Sequence, residues 1–140
     1  MGIEQEFKDR ALTLYPGLAE AFDEYEGLLH MQMSEFEMKT TEAIRNKDKE
    51  KVLASFILAE RCFRQGDEAM KNAIDVSFVE GVLSLLNKEE KEWGWVLMPE
   101  LLKELYVDFW GRLRPRLRLG PKTLALYAKI EMDNGTRRIT

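Results

Sequence analysis

Residues 59–81, AERCFRQGDEAMKNAIDVSFVEG, decide the fold. Before Gly66 stand Val52, Leu53, Phe56, Ile57, Ala59, Cys62 and Phe63, recurring at the three- and four-residue spacing of a buried helix face. Asp48 precedes that run as an N-cap, and Gly66 suits the left-handed residue that ends such a helix. Asp67 follows at once as a second N-cap, and Met70, Ala73, Ile74, Phe78, Val82 and Leu85 stripe the helix after it. So short a connection sets the two helices antiparallel. The stretch predicts a central helix hairpin. Gly81 falls inside its second arm, costing about 1 kcal/mol against alanine, which a close helix crossing would offset.

Working outward, the helical spacing continues. Ile3, Phe7, Ala11 and Leu14 predict a first helix ending near Tyr15, because Pro16 disfavours helical geometry before it and suits the first turn after it. Leu18, Phe22, Tyr25 and Leu29 stripe a second helix, whose other face carries Glu20, Asp23, Glu24 and Glu26. Ser34 with Glu37 reads as a capping box for a helix through Met38, Thr41 and Ile44, either new or a bent continuation of the second. Residues 87–92 read as a charged bend with some helical character. Pro99 opens a helix through Leu101, Leu102, Leu105, Tyr106, Phe109 and Trp110, limited by Gly111 and Pro115. Residues 112–119 alternate basic with apolar or Pro residues, which predicts an extended segment. After the Gly120-Pro121 turn, residues 122–132 read as a last helix. The expected architecture is all-α: one domain of five to six helices, with a short extended basic segment before a C-terminal helix.

Charge divides the chain at the same place. Residues 1–111 hold 13 Lys/Arg against 23 Asp/Glu, and residues 112–140 hold 8 against 2. We therefore read 1–111 as an acidic helical body and 112–140 as a basic arm packed on that body or on a second subunit. At 140 residues, 45% hydrophobic and 33% charged, the chain has the makeup of an ordinary globular domain. It holds no apolar run long enough for a membrane span, and no secretory-type start. The myristoylation pattern fails at Glu6. One cysteine excludes an internal disulfide. A cytoplasmic protein, away from membranes, is expected.

The hairpin string Ala59 to Ala69, with its Gly66-Asp67-Glu68 junction, is followed by Val76-Ser77-Phe78-Val79-Glu80. These motifs resemble a family of small bacterial helical domains of unknown function. Tyr15-Pro16-Gly17-Leu18 and Met98-Pro99-Glu100-Leu101 resemble the helix starts of that family, so the likeness covers roughly residues 14–111. It departs at Gly81, where the family more often has Asn, and at Met98. The resemblance implies a fold and carries no activity. One stretch of the hairpin also looks like a tetratricopeptide unit, but a single unit cannot make that solenoid.

Catalytic patterns are missing. His30 is the sole histidine, which excludes the paired Glu-x-x-His set of a di-iron bundle. A soft copper site from His30, Met31 and Met33 ranks below a packed or partly exposed histidine. Cys62 sits on an apolar face as an inert thiol. Asp75 and Glu80, five residues apart, share no helix face well and read as solvated or locally bonded. There is no phosphate-cradling loop, zinc spacing or nucleophile triad. No cofactor is expected, and the chain reads as a non-enzyme.

Binding readings fit better. Glu20, Asp23 and Glu24 offer an acidic surface to a basic protein, while Trp93 and Trp95 are candidate interface anchors. Arg112, Arg114, Arg116 and Arg118 would share one side of an extended strand, with leucines opposite. They would pair with the chain's own acidic body, face a nucleic acid or acidic protein, or exchange between subunits of a homodimer. A nucleic acid is the weaker partner, because the acidic body repels phosphates. The expected function is a protein-binding module, most concretely an immunity- or antitoxin-like protein occluding a basic partner. The alternatives are a nucleic-acid-associated regulator using the arm, or a helical small-molecule binder.

Overall fold

A run of short amphipathic helices must bury its stripes against one another, and these do so around a line of aromatic rings. The computed structural model describes residues 2–117, with side chains through residue 109, and that part is all-helical. Its elements are α1 (Ile3–Leu14), a 3-10 turn (Pro16–Leu18), α2 (Ala19–Glu24), α3 (Leu29–Arg45) and α4 (Lys49–Gln65). Then follow α5 (Glu68–Asn72), a π-helical segment (Ala73–Val79), α6 (Lys88–Leu97) and α7 (Glu100–Leu117). Seven α-helices stand in the described residues, more than the five to six expected. Arg118 and the helix expected over residues 122–132 lie outside them.

The core is built from one stripe of each helix. Phe7 of α1, Phe36 of α3, Phe78 of the π-helical segment and Phe56 of α4 are fully buried and form a continuous chain of ring contacts. Their centroids lie 5.4 Å (Phe7–Phe36), 5.4 Å (Phe36–Phe78) and 6.3 Å (Phe56–Phe78) apart, in edge-to-face and stacked pairs. Phe22 joins from α2 and Tyr15 from the first junction. The Tyr15 hydroxyl, carried inside by its ring, is paired with Ser55 Oγ at 2.8 Å. Burial raises the Tyr15 hydroxyl above its ordinary pKa, against the hydrogen bonds that lower it.

Local signals mark most helix starts. Asp48 accepts from the Lys51 amide at 3.3 Å, and Asp67 from the Met70 amide at 2.9 Å. Gly66 departs from expectation. Its backbone is extended (φ −85°, ψ 167°), not left-handed. The glycine is required by space: an added Cβ would lie 2.5 Å from the Cys62 carbonyl oxygen and 2.6 Å from Met70 Cβ. The Ser34–Glu37 capping box does not form, because α3 begins five residues earlier, at Leu29, after a turn through Gly27 (φ +82°). A reciprocal box forms instead at Asn87 and Glu90 and converts the expected charged bend into α6.

The second arm of the hairpin differs most. Its helix loosens to π geometry at Ala73 and into turns after Val79, so the apolar stripe leaves the ~3.6-residue register assumed for it. Leu85, expected inside, is 78% exposed, and Leu83 and Leu86 are buried in its place. Carbonyls of this arm are served by α3. Thr41 Oγ1 donates to the Val82 carbonyl at 2.8 Å, and Arg45 Nη2 donates to the Leu85 carbonyl at 3.1 Å. At the other end of the seam, His30 Nδ1 lies 2.7 Å from Ser77 Oγ. Asn72 Nδ2 lies 3.4 Å from His30 Nε2. Ile57 and Met38, expected to face inward, are exposed.

The expected extended segment is also corrected. α7 runs across Gly111 and on to Leu117, so residues 112–117 are helical and the alternating-side argument for Arg112, Arg114 and Arg116 does not hold. Arg and Leu are strong helix formers, but Gly111 and Pro115 oppose a helix by about 1 and 3 kcal/mol, so propensity alone does not account for the continuation. Arg118 and the remaining arm lie outside the described residues.

Candidate interaction surface

Glu20, Asp23 and Glu24 owe their exposure to their neighbours. Leu18 and Phe22 are drawn into the core, and α2, six residues long, is thereby turned with its acidic side out. Gln32 of α3 clamps the helix from below, its Nε2 donating to the Phe22 carbonyl at 3.1 Å within the buried interior. Glu26 follows in the turn and is exposed as well. Among the described residues none of these four carboxylates forms an ion pair or hydrogen bond through its side chain.

Some acids elsewhere are matched by cations. Glu6 bonds both Arg10 and Arg61, and those guanidinium contacts hold its carboxyl below the ordinary value, the Arg61 hydrogen bond most of all. Glu60 pairs with Arg64 at 3.1 Å. The α2 cluster is therefore an uncompensated negative patch, and apolar surface adjoins it in sequence. Leu28 is 54% exposed and Met31 43%. Leu28 was not recognised from sequence. The stripe read for that helix runs through Leu29 and does not include Leu28, which follows the turn at Gly27.

The other candidates separate. Trp95 is 1% exposed and packs edge-on against Tyr106 at 5.5 Å, with Lys103 Nζ over its ring at 5.3 Å, so it belongs to the core and not to a partner surface. Trp93 is half-buried, with Lys47 Nζ 5.7 Å from its ring centre. Among the described residues no hydrogen bond, ion pair or ring contact links Trp93 to Glu20, Asp23 or Glu24. The structure does not bring the two groups together. The side chains of Trp110, Arg112, Arg114, Arg116 and Arg118 lie outside the described ones.

Reactive chemistry finds no centre among the described residues. No three of His, Cys, Asp and Glu approach closely enough to hold a metal ion. Met33 is fully buried while Met31 is exposed, so the two sulfurs and His30 do not converge. Asp75 and Glu80 are half-buried and not simply solvated; each has an interaction of its own. Cys62 is buried and burial pushes its thiol up to about 12, leaving almost no thiolate at neutral pH. We expect the native protein to resist a maleimide or disulfide reagent for hours at pH 7.5, and to react within minutes in denaturant. Rapid labelling of the native thiol would contradict its burial.

A cleft of about 220 Å³ opens between the first junction and the start of α4, lined by Tyr15, Gly17, Lys39, Glu42, Asp48 and Lys51 among others. Its two ammonium groups are matched by two carboxylates, so its charge selects no ligand class. No helix of the described residues is long and apolar enough to cross a membrane. No curated protein and no solved structure matches the chain. A family model does: residues 8–111, nearly the whole described helical assembly, match a domain of unknown function (DUF7674), and the chain belongs to that family.

Proposed function

We propose that this chain is a non-enzymatic protein-binding module whose α2 face receives a basic partner. The observation that carries the reading is the set of four exposed carboxylates without a counter-ion among the described residues, in sequence beside exposed Leu28 and Met31. Uncompensated charge of one sign raises the encounter rate with a partner of the other, and nearby apolar area supplies the burial that holds the complex. In its most concrete form the module is immunity- or antitoxin-like, occluding a basic protein such as a nuclease. On this reading residues 1–111 act as the acidic body. The basic arm, 112–140, packs on that body or on a second copy and leaves α2 free.

The test is co-expression with the product of the adjacent gene, followed by purification at 50 mM and 500 mM salt. A complex that weakens with salt is expected, since exposed charges are screened within about 8 Å at physiological ionic strength. Replacing Glu20, Asp23 and Glu24 together with lysine should slow association about tenfold or more and leave the unfolding midpoint of the free chain nearly unchanged. The reading fails if the neighbouring product neither co-purifies nor loses toxicity. It fails equally if the triple variant binds as well as the parent.

A further inference from the structure

Glu37 leaves α3 where the facing arm carries no side chain. A Cβ added at Gly81 would lie 3.4 Å from Glu37 Cδ and 3.6 Å from each carboxyl oxygen, so the carboxyl group lies against bare backbone. Glu37 Oε2 is 2.9 Å from Thr41 Oγ1, and the same Oγ1 is 2.8 Å from the Val82 carbonyl oxygen. A threonine hydroxyl has one hydrogen, and a carbonyl only accepts. Both contacts are hydrogen bonds at once only when Glu37 is neutral and donates its own O–H to Thr41 Oγ1. An ionised Glu37 competes with Val82 for a single hydrogen.

The surroundings favour the neutral acid. Burial raises the Glu37 carboxyl above its ordinary value of 4.5, outweighing the Thr41 hydrogen bond that lowers it. Charged groups near this seam are engaged elsewhere. On α3, His30 bonds Ser77 and Asn72, and Arg45 donates to the Leu85 carbonyl. On the facing arm, Asp75 and Glu80 have interactions of their own. From α7, Lys103 lies over the Trp95 ring, and Lys47 and Glu89 pair beside α6. Among the described residues no cation is ion-paired with Glu37.

We propose that Glu37, Thr41 and Val82 form a proton-operated latch between α3 and the second arm of the hairpin. With the proton present, donation runs from Glu37 to Thr41 and from Thr41 to the Val82 carbonyl, pinning the 80–86 turns to α3. When the proton leaves to solvent, the Thr41 hydrogen swings to the carboxylate and the Val82 carbonyl loses its donor. Because the folded state holds this proton more tightly than the unfolded chain, the latch contributes fully below the ordinary carboxylate value of 4.5. That contribution is lost as pH rises through the higher value of the folded protein.

Two measurements on the full chain test it. Glu37→Gln supplies a permanent N–H donor to Thr41, so its thermal midpoint should exceed the parent by roughly 2–4 °C at pH 7.5 and match it at pH 4. In the parent, the carbon-13 signal of the Val82 carbonyl should titrate together with the Glu37 carboxyl, above pH 4.5. Thr41→Val should silence the Val82 titration while Glu37 still titrates. Equal midpoints at both pH values would overturn the latch. So would a Val82 carbonyl that stays silent in the parent while Glu37 ionises, an outcome that requires no variant to fold.

Discussion

Phe36→Ala is expected to cost about 3–5 kcal/mol, much of the ~5–15 kcal/mol that holds a domain of this size folded. Phe36 is fully buried and touches the rings of Phe7, Tyr15 and Phe78, which come from α1, the first junction and the π-helical segment. Removing its ring opens a cavity walled by three separate elements, none of which can fill it without leaving its own packing. Urea titration should show a midpoint far below that of the parent, with partial unfolding at 37 °C. Phe36→Leu, which keeps most of the volume, should recover the larger share. A change under 1 kcal/mol for the alanine variant would mean the aromatic line is not the centre of the core.

Gly66→Ala should be the most damaging of the small substitutions, at about 1–3 kcal/mol. The backbone there (φ −85°, ψ 167°) is one alanine adopts readily, so the cost is steric. The new methyl would meet the Cys62 carbonyl at 2.5 Å and Met70 Cβ at 2.6 Å, both on or next to main chain that cannot swing aside. Gly17→Ala is the control. Its nearest contact would be Lys39 Nζ at 3.8 Å, an ordinary van der Waals distance, and its effect should be within about 0.5 kcal/mol. If the two variants unfold at the same denaturant concentration, the hairpin junction is looser than described.

The contrast at Gly66 shows how far sequence reasoning reaches. A Gly-Asp pair ending one apolar stripe and opening another marks a junction, because Asp67 can cap and glycine is tolerated at a helix end. The same pair does not say whether glycine is there for its backbone freedom or for its missing side chain. Here the reason is space, and space depends on Met70 curling back over the junction. Leu85 makes the same point at longer range. Its position was extrapolated from a regular helix, and the π-helical turn upstream shifted the register.

The candidate surface was half legible. Exposure of Glu20, Asp23 and Glu24 follows from charge opposite the Leu18 and Phe22 stripe, and the structure has them exposed. Trp93 and Trp95 could not be divided by sequence, because neighbouring residues on a helix differ in burial only through what packs on each side. Glu37 was read as half of a capping box, a local role. Its actual partners, Thr41 and the bare backbone at Gly81, come partly from forty residues away.

What the sequence determined alone was the all-helical class, most junctions, and the division of charge between residues 1–111 and 112–140. Those depend on spacing, capping and composition, which act within a few residues along the chain. Tertiary structure decided the register of the second hairpin arm and the burial of Trp95. It also placed Glu37 against Gly81, where its carboxyl and the Val82 carbonyl meet one threonine hydroxyl. Each of these depends on which atoms meet across distant segments, and no short window of sequence contains both partners.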